Sequence, residues 1–131
     1  IKSKVNALGL SECVYFLGNR SDIPQLLSAS DVFVFPSLCE GLGISAVEAQ
    51  CSGLHTVCSD EIPPEATVSP LIERLPLNDS ADKWAERILT PYERTDMSEE
   101  VRKADFDIKQ CAKEIEQFYV NIGKEHDNDR H

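Results

Sequence analysis

The chain has 131 residues, 41% hydrophobic and 27% charged, which suits one ordinary globular domain and argues against both disorder and membrane insertion. Its formal net charge of −10 disfavours a nucleic-acid partner, because phosphate backbones are held by Lys and Arg. The acid concentrates in the second half, in Glu73, Asp79, Asp82, Glu86 and the stretch Asp96 to Glu100, and reads as solvated helix surface.

In chain order, Ile1, Val5 and Leu8 share a helical face that ends at Gly9. Val14 to Leu17 is a short apolar run closed by Gly18, expected to be a strand. Ser21 or Asp22 caps the next helix, with Pro24 in its first turn and Ile23, Leu26 and Leu27 facing inward. Val32-Phe33-Val34-Phe35 is apolar at every position and stops at Pro36, the pattern of a buried parallel strand. A helix follows from about Gly43 to Gln50, stopping near Gly53, and then a strand at Thr56 to Cys58. Pro63 and Pro64 impose a loop or short turn, and Leu71 to Leu75 is one more strand.

Beyond that point the reading is helical. Asn78 and Ser80 are capping candidates for a helix carrying Trp84, Ile88 and Leu89, and Met97 to Lys103 forms a short helix. Ile108, Cys111, Ala112, Ile115, Phe118, Tyr119 and Ile122 define one apolar stripe of a last helix that ends at Gly123. These elements assign residues 1–123 to one domain and 124–131 to a polar, frayed tail. Alternating strands and helices imply an α/β fold: a partial Rossmann-like parallel sheet with flanking helices and a helical C-terminus. Ligands of such sheets bind beyond the carboxyl ends of the strands, which directs attention to the loops after Leu17, Phe35 and Cys58.

Five cysteines, Cys13, Cys39, Cys51, Cys58 and Cys111, form no Cys-x-x-Cys pair and no zinc spacing with the histidines. They read as small buried hydrophobes of a reducing compartment, with Cys39 a candidate exposed thiol.

The informative loop is Pro36-Ser37-Leu38-Cys39-Glu40-Gly41-Leu42-Gly43, between a buried strand and a helix. Glycine lets the backbone approach a ligand closely, and a helix N-terminus supplies unpaired N–H groups and partial positive charge. Together they suit a phosphate or pyrophosphate, although a tight turn alone would give the same pattern. Glu40 precedes the helix and Glu48 lies inside it, about one turn from the tip. A wheel with Ile44, Val47, Cys51 and Leu54 as the buried face puts Glu48 on the flank of that face. A carboxylate there needs hydrogen-bond donors, which ribose hydroxyls or protein N–H groups can supply. For Glu40 the alternative is simple complementarity with the helix dipole.

Phe16-Leu17-Gly18, Asp22 to Leu27, Ala29 to Ser37, and Glu40 to Gly43 through Glu48-Ala49 resemble the C-terminal domain of retaining glycosyltransferases of the family-4 type, whose two-domain architecture is called GT-B. The resemblance covers roughly residues 1–122 and is densest from Val14 to Asp60. Ser59-Asp60-Glu61-Ile62-Pro63-Pro64-Glu65-Ala66 and the closing Asp107-Ile108 helix are most similar to the exopolysaccharide or capsule branch. The resemblance implies a catalytic, sugar-facing role for Glu40, donor contacts from the backbone of Gly41, Leu42 and Gly43, and ribose binding by Glu48. Gly18 and Asn19 fall where the family's base-contacting loop runs, and Arg20 is either part of it or a solvated cation.

The implied substrate is a nucleotide-sugar of the UDP or GDP type, with UDP favoured by the resemblance. The implied reaction transfers the sugar to an acceptor hydroxyl with its anomeric configuration retained. No metal or other cofactor is expected, and no Asp-x-Asp motif is present. The implied partners are an N-terminal acceptor domain upstream of Ile1, with the family's diphosphate-binding Arg and Lys, and a lipid-linked or glycan acceptor. The chain alone is therefore expected to be inactive, with an exposed sheet edge. The implied location is cytoplasmic, with the inner face of the membrane also open. The rival readings are a non-catalytic nucleotide-sugar binding module and a nucleotide-sugar epimerase of the same architecture.

Overall fold

A computed structural model describes residues 1–128, with side chains described for residues 1–122. The sheet has three parallel strands in the order β1 (Val32–Phe35), β2 (His55–Ser59), β3 (Ile72–Leu75). β1 and β2 pair from Val32 with His55 to Phe35 with Cys58, and β2 and β3 pair from Thr56 with Ile72 to Ser59 with Leu75. All three strands thus end at the same side, where the loops after Phe35, Ser59 and Leu75 gather. The helices are α1 (Lys2–Ala7), α2 (Ile23–Ala29), α3 (Ile44–Cys51), α4 (Ala81–Ile88), α5 (Ser98–Lys103) and α6 (Ile108–Asn128), with a 3-10 turn at Pro64–Ala66.

The core forms where α3 lies on the sheet. Ala46, Val47, Cys58, Ile62, Ala66 and Val101 are buried together, with Phe33, Phe35, Ile72 and Phe106 packed around them. A second cluster joins Leu27 of α2 to Ala49 and Leu54. Small residues at Ala46 and Ala49 let α3 approach the strands closely, and α5 then packs on α3 through Val101.

Two polar side chains organise the long connection from β2 to β3. Gln50 is completely buried on α3. Its Nε2 donates to the carbonyls of Ala46 (3.0 Å) and Ala66 (2.7 Å), and its Oε1 accepts from the amides of Val68 (3.2 Å) and Ser69 (3.0 Å) and the Ser69 hydroxyl (3.0 Å). From the other side Arg74 of β3 donates to the carbonyls of Asp60 (2.9 Å), Ile62 and Pro63 and to Thr67 Oγ1. At the opposite end of the sheet, Arg94 donates to the carbonyls of Leu27 (2.8 Å), Ser28 (2.6 Å) and Ser30 (3.0 Å), closing the C-terminus of α2. Tyr92 donates to the Asp31 carbonyl (2.6 Å) in the same segment.

Several expectations are corrected here. Val14 to Leu17 has no regular structure and pairs with no strand among the described residues, and Tyr15, Phe16 and Leu17 are exposed; β propensity needs a neighbouring strand before it makes a ladder. Ile1 and Leu8, which flank α1, face solvent, and Ile23 is exposed while Leu27 alone of α2 is buried. α6 continues through Gly123 to Asn128, since a glycine costs a helix about 1 kcal/mol without ending it. Its stripe of Ile108, Ile115, Phe118 and Tyr119 is exposed rather than packed. Positions 129–131 of the expected tail lie outside the described residues. Of the cysteines, Cys58 is buried, whereas Cys13 and Cys39 are exposed and Cys51 and Cys111 are half-buried. Ser80 does cap α4, accepting from the Lys83 amide at 3.2 Å.

Candidate functional site

The loop between β1 and α3 sets the site. Pro36 ends the strand, and the backbone turns so that the Ser37 amide donates to the Phe35 carbonyl at 3.0 Å. Gly43 then closes the loop as the N-cap of α3 with φ +79°, the left-handed region, where an L side chain would cost roughly 1–2 kcal/mol. Its carbonyl accepts from the amides of Ala46 (2.9 Å) and Val47 (3.4 Å), which starts the helix. No side chain caps α3, and the amides of Ile44 and Ser45 meet no acceptor among the described residues. Two unpaired donors and the positive end of the helix dipole therefore face outward at the tip.

The two carboxylates stand in different surroundings. Glu40 is half-buried, and its Oε1 accepts from Ser37 Oγ at 2.6 Å, whereas its Oε2 has no hydrogen-bond partner among the described residues. Ser37 is itself held, because the buried Ser59 hydroxyl at the end of β2 donates to the Ser37 carbonyl. Glu48 is exposed and its carboxylate makes no hydrogen bond or ion pair among the described residues. It lines a shallow depression with Ile23, Pro24, Leu27, Cys51 and Ser52.

This corrects the position expected for Glu48. The buried face of α3 is Ala46, Val47, Ala49 and Gln50; of the residues expected there, Val47 and Leu54 are buried, Cys51 is half-buried, and Ile44 is 50% exposed. Glu48 therefore lies on the outward side of the helix rather than on the flank of its buried face. The small residues at 46 and 49, with a glutamine at 50 that finds partners inside, allow the sheet to take a face that is less apolar than its alternative. The outward position leaves Glu48 beside the start of α2, to which the Gly18-Asn19 loop leads directly.

Gly41 is exposed, and a Cβ there would meet nothing within 4 Å; Leu42 is half-buried. Gly18 and Asn19 are exposed. Arg20 is tied to Asp22, donating from Nε at 2.7 Å. The shared hydrogen bonds raise the guanidinium above its ordinary value and hold the Asp22 carboxyl below its own. Asp22 is the N-cap of α2, but its side chain accepts no capping bond, being engaged by Arg20 instead. Arg20 thus reads as a surface ion-pair cation. Among the described residues, no three His, Cys, Asp or Glu side chains come together as a metal-binding group, and no helix is long and apolar enough to cross a membrane.

Ser59, Gln50 and Arg74 shape this end of the fold without having been assigned a part from sequence, and Ser37 was part of the motif without a role. The Ser-x-x-Glu spacing of Ser37 and Glu40 was the available signal; it is the spacing of a capping box, used here in a loop. Gln50 was visible as a polar residue between Ala49 and Cys51.

A parallel sheet whose helix-opening loop presents free amides and one unpaired carboxylate oxygen beyond a strand end has the α/β layout in which ligands are bound at that edge. The chain belongs to the family of glycosyl transferases group 1, whose model matches residues 1–106. It is 34% identical over 136 residues to the glycosyltransferase-named EpsF of Bacillus subtilis (strain 168), covering 99% of this chain and 35% of that protein. It is 47% identical over 53 residues to the UDP-Gal:alpha-D-GlcNAc-diphosphoundecaprenol alpha-1,3-galactosyltransferase of Escherichia coli, covering 40% of this chain and 14% of that one. It is also 48% identical over 50 residues to the N,N'-diacetylbacillosaminyl-diphospho-undecaprenol alpha-1,3-N-acetylgalactosaminyltransferase of Campylobacter jejuni, covering 38% of this chain and 13% of that one. The chain thus spans about a third of EpsF and a smaller part of the others. No solved structure matches it significantly.

Proposed function

We propose that this chain is the donor-binding part of a retaining glycosyltransferase with GT-B architecture, of the family-4 type, acting in exopolysaccharide or capsule synthesis. The observation that carries the reading is the uncapped tip of α3, flanked by Glu40 and Glu48, each with carboxylate oxygen left unpaired among the described residues. A half-buried carboxylate normally recruits protein donors, so the unpaired oxygen of Glu40 favours a hydroxyl donor from a ligand, and the exposed Glu48 is open to one.

In this reading the diphosphate of a nucleotide-sugar meets the amides of Ile44 and Ser45, where the helix dipole stabilises the negative charge that grows on the leaving group. Gly41, without a Cβ, allows the backbone of Gly41, Leu42 and Gly43 to approach the sugar and diphosphate. Glu40 accepts from a hydroxyl of the transferred sugar. Glu48 accepts from the ribose hydroxyls, and the Gly18-Asn19 loop lies toward the base. Leaving-group stabilisation is assigned to the helix tip together with cationic groups outside this chain, and no metal site is part of the proposal.

Two relatives are named for transfer to diphosphoundecaprenol-linked sugars, which supports a lipid-linked acceptor. Because the chain spans about a third of EpsF, acceptor binding and turnover are assigned to the full-length protein, with an N-terminal domain supplying the acceptor side. The test is Glu40→Ala in that protein. Sugar transfer should fall far more than nucleoside diphosphate binding, and equal losses in the two would remove the sugar-facing role.

A further inference from the structure

We infer that Ser37 is a positioning residue for Glu40, fixing one carboxylate oxygen so that the other is presented to a hydroxyl of the transferred sugar. The inference deepens the proposed donor site and rests on the sugar-facing reading of Glu40.

Glu40 sits in a loop without regular structure, and a free glutamate side chain there would spread over many rotamers, an entropy lost when a ligand orders it. The Ser37 hydroxyl removes much of that freedom. It lies 2.6 Å from Glu40 Oε1 and 3.4 Å from the Cys39 carbonyl, and its single proton goes to the nearer, charged acceptor. The hydroxyl is in turn on a fixed base. The Ser37 amide donates to the Phe35 carbonyl at 3.0 Å, and its carbonyl accepts from Ser59 Oγ, which is wholly buried at the end of β2. The relay runs from Ser59 at the end of the central strand through Ser37 to Glu40 in the loop, and each link is a hydrogen bond. No cation pairs with Glu40 among the described residues, so Ser37 is the group that sets its direction. The remaining oxygen, Oε2, is an acceptor and nothing else when ionised, and it therefore selects a hydroxyl donor. Ser37 itself need not touch the donor.

The test uses the full-length protein and calorimetric titration with UDP-galactose, UDP-N-acetylglucosamine and GDP-mannose, each compared with UDP or GDP alone. The variants are Ser37→Ala, Ser37→Thr and Glu40→Gln. Ser37→Ala should weaken binding of the preferred nucleotide-sugar, and lower its kcat/KM, by about three- to tenfold, the worth of one hydrogen bond. The parent diphosphate should bind within about twofold of wild type, and Ser37→Thr, which keeps the hydroxyl, should recover most of the loss. A structural defect would weaken sugar-bearing and sugar-free ligands alike and would overturn the inference, as would an unchanged Ser37→Ala or a Ser37→Thr that recovers nothing. If Glu40→Gln loses discrimination between nucleotide-sugar and diphosphate while Ser37→Ala keeps it, the role of Ser37 falls and that of Glu40 stands. If Glu40→Gln also keeps it, or if wild type binds no nucleotide-sugar differently from its diphosphate, the sugar-facing reading falls and the inference with it.

Discussion

Gln50 of α3 donates to the Ala66 carbonyl across 2.7 Å, joining the helix that carries Glu48 to the turn whose Ala66 Cβ lies 3.5 Å from where a Cβ on Gly43 would stand. One buried amide therefore fixes the tip of α3 against the β2–β3 connection. Its carboxamide has all of its polar capacity used, which is the condition under which a buried polar group stabilises a fold.

Replacing Gln50 by Leu keeps the volume roughly constant and strands the Val68 and Ser69 amides and the Ala66 carbonyl without partners. We expect a loss of about 2–4 kcal/mol in urea unfolding of the full-length protein, at the upper end of single-site effects. An effect below about 0.5 kcal/mol would show that the connection is held by other contacts.

Two glycines separate packing from ligand approach. Gly53 has φ +73°, and a Cβ there would lie 2.6 Å from the Thr95 carbonyl oxygen and 3.1 Å from Arg94 Cγ. Gly53→Ala should therefore destabilise by about 2–4 kcal/mol, from backbone strain and from displacing the segment through which Arg94 closes α2. Gly41 has open space around it, so Gly41→Ala should change stability by less than about 0.5 kcal/mol. Its expected effect is on binding, where a methyl group would stand between loop and ligand. Thermal unfolding together with nucleotide-sugar titration of both variants checks the contrast.

Cys58 supplies a pH test. Burial pushes its thiol up to about 11 from an ordinary 9.0, against a smaller opposing pull from the Arg74 guanidinium. The folded chain disfavours the thiolate, so between about pH 9 and pH 11 the unfolded state has released a proton that the folded state retains. The stability contributed by the protonated thiol is complete below pH 9 and falls as pH rises through that window, by at most roughly 2–3 kcal/mol. Urea unfolding from pH 8 to 11 should show this slope in wild type and a smaller one in Cys58→Ala. At neutral pH, iodoacetamide should label the exposed Cys13 and Cys39 well before Cys58.

The parallel sheet and its alternation with helices were legible because they rest on local pattern. Val32 to Phe35 is apolar on both faces, Pro36 stops it, and the glycines before α3 mark the turn. What escaped depends on partners distant in sequence. Val14 to Leu17 has strand composition but no neighbouring strand among the described residues. The orientation of α3 was misjudged because a wheel favours the large aliphatic Ile44, whereas the sheet accepts the small Ala46 and Ala49 and a glutamine satisfied from the β2–β3 connection. The support of Glu40 by Ser59 spans 22 residues between Ser37 and Ser59, a relation no local window contains.

We propose that an unpaired carboxylate on the outward side of α3, Glu48, holds the ribose of a nucleotide diphosphate. Titration of the full-length protein and its Glu48→Ala variant with UDP and GDP, alone and as sugar conjugates, tests it most directly. The account predicts that the variant stays folded and loses about 1.5–3 kcal/mol of affinity for the preferred nucleotide, whether or not a sugar is attached. Unchanged nucleotide affinity in a folded Glu48→Ala protein would contradict it.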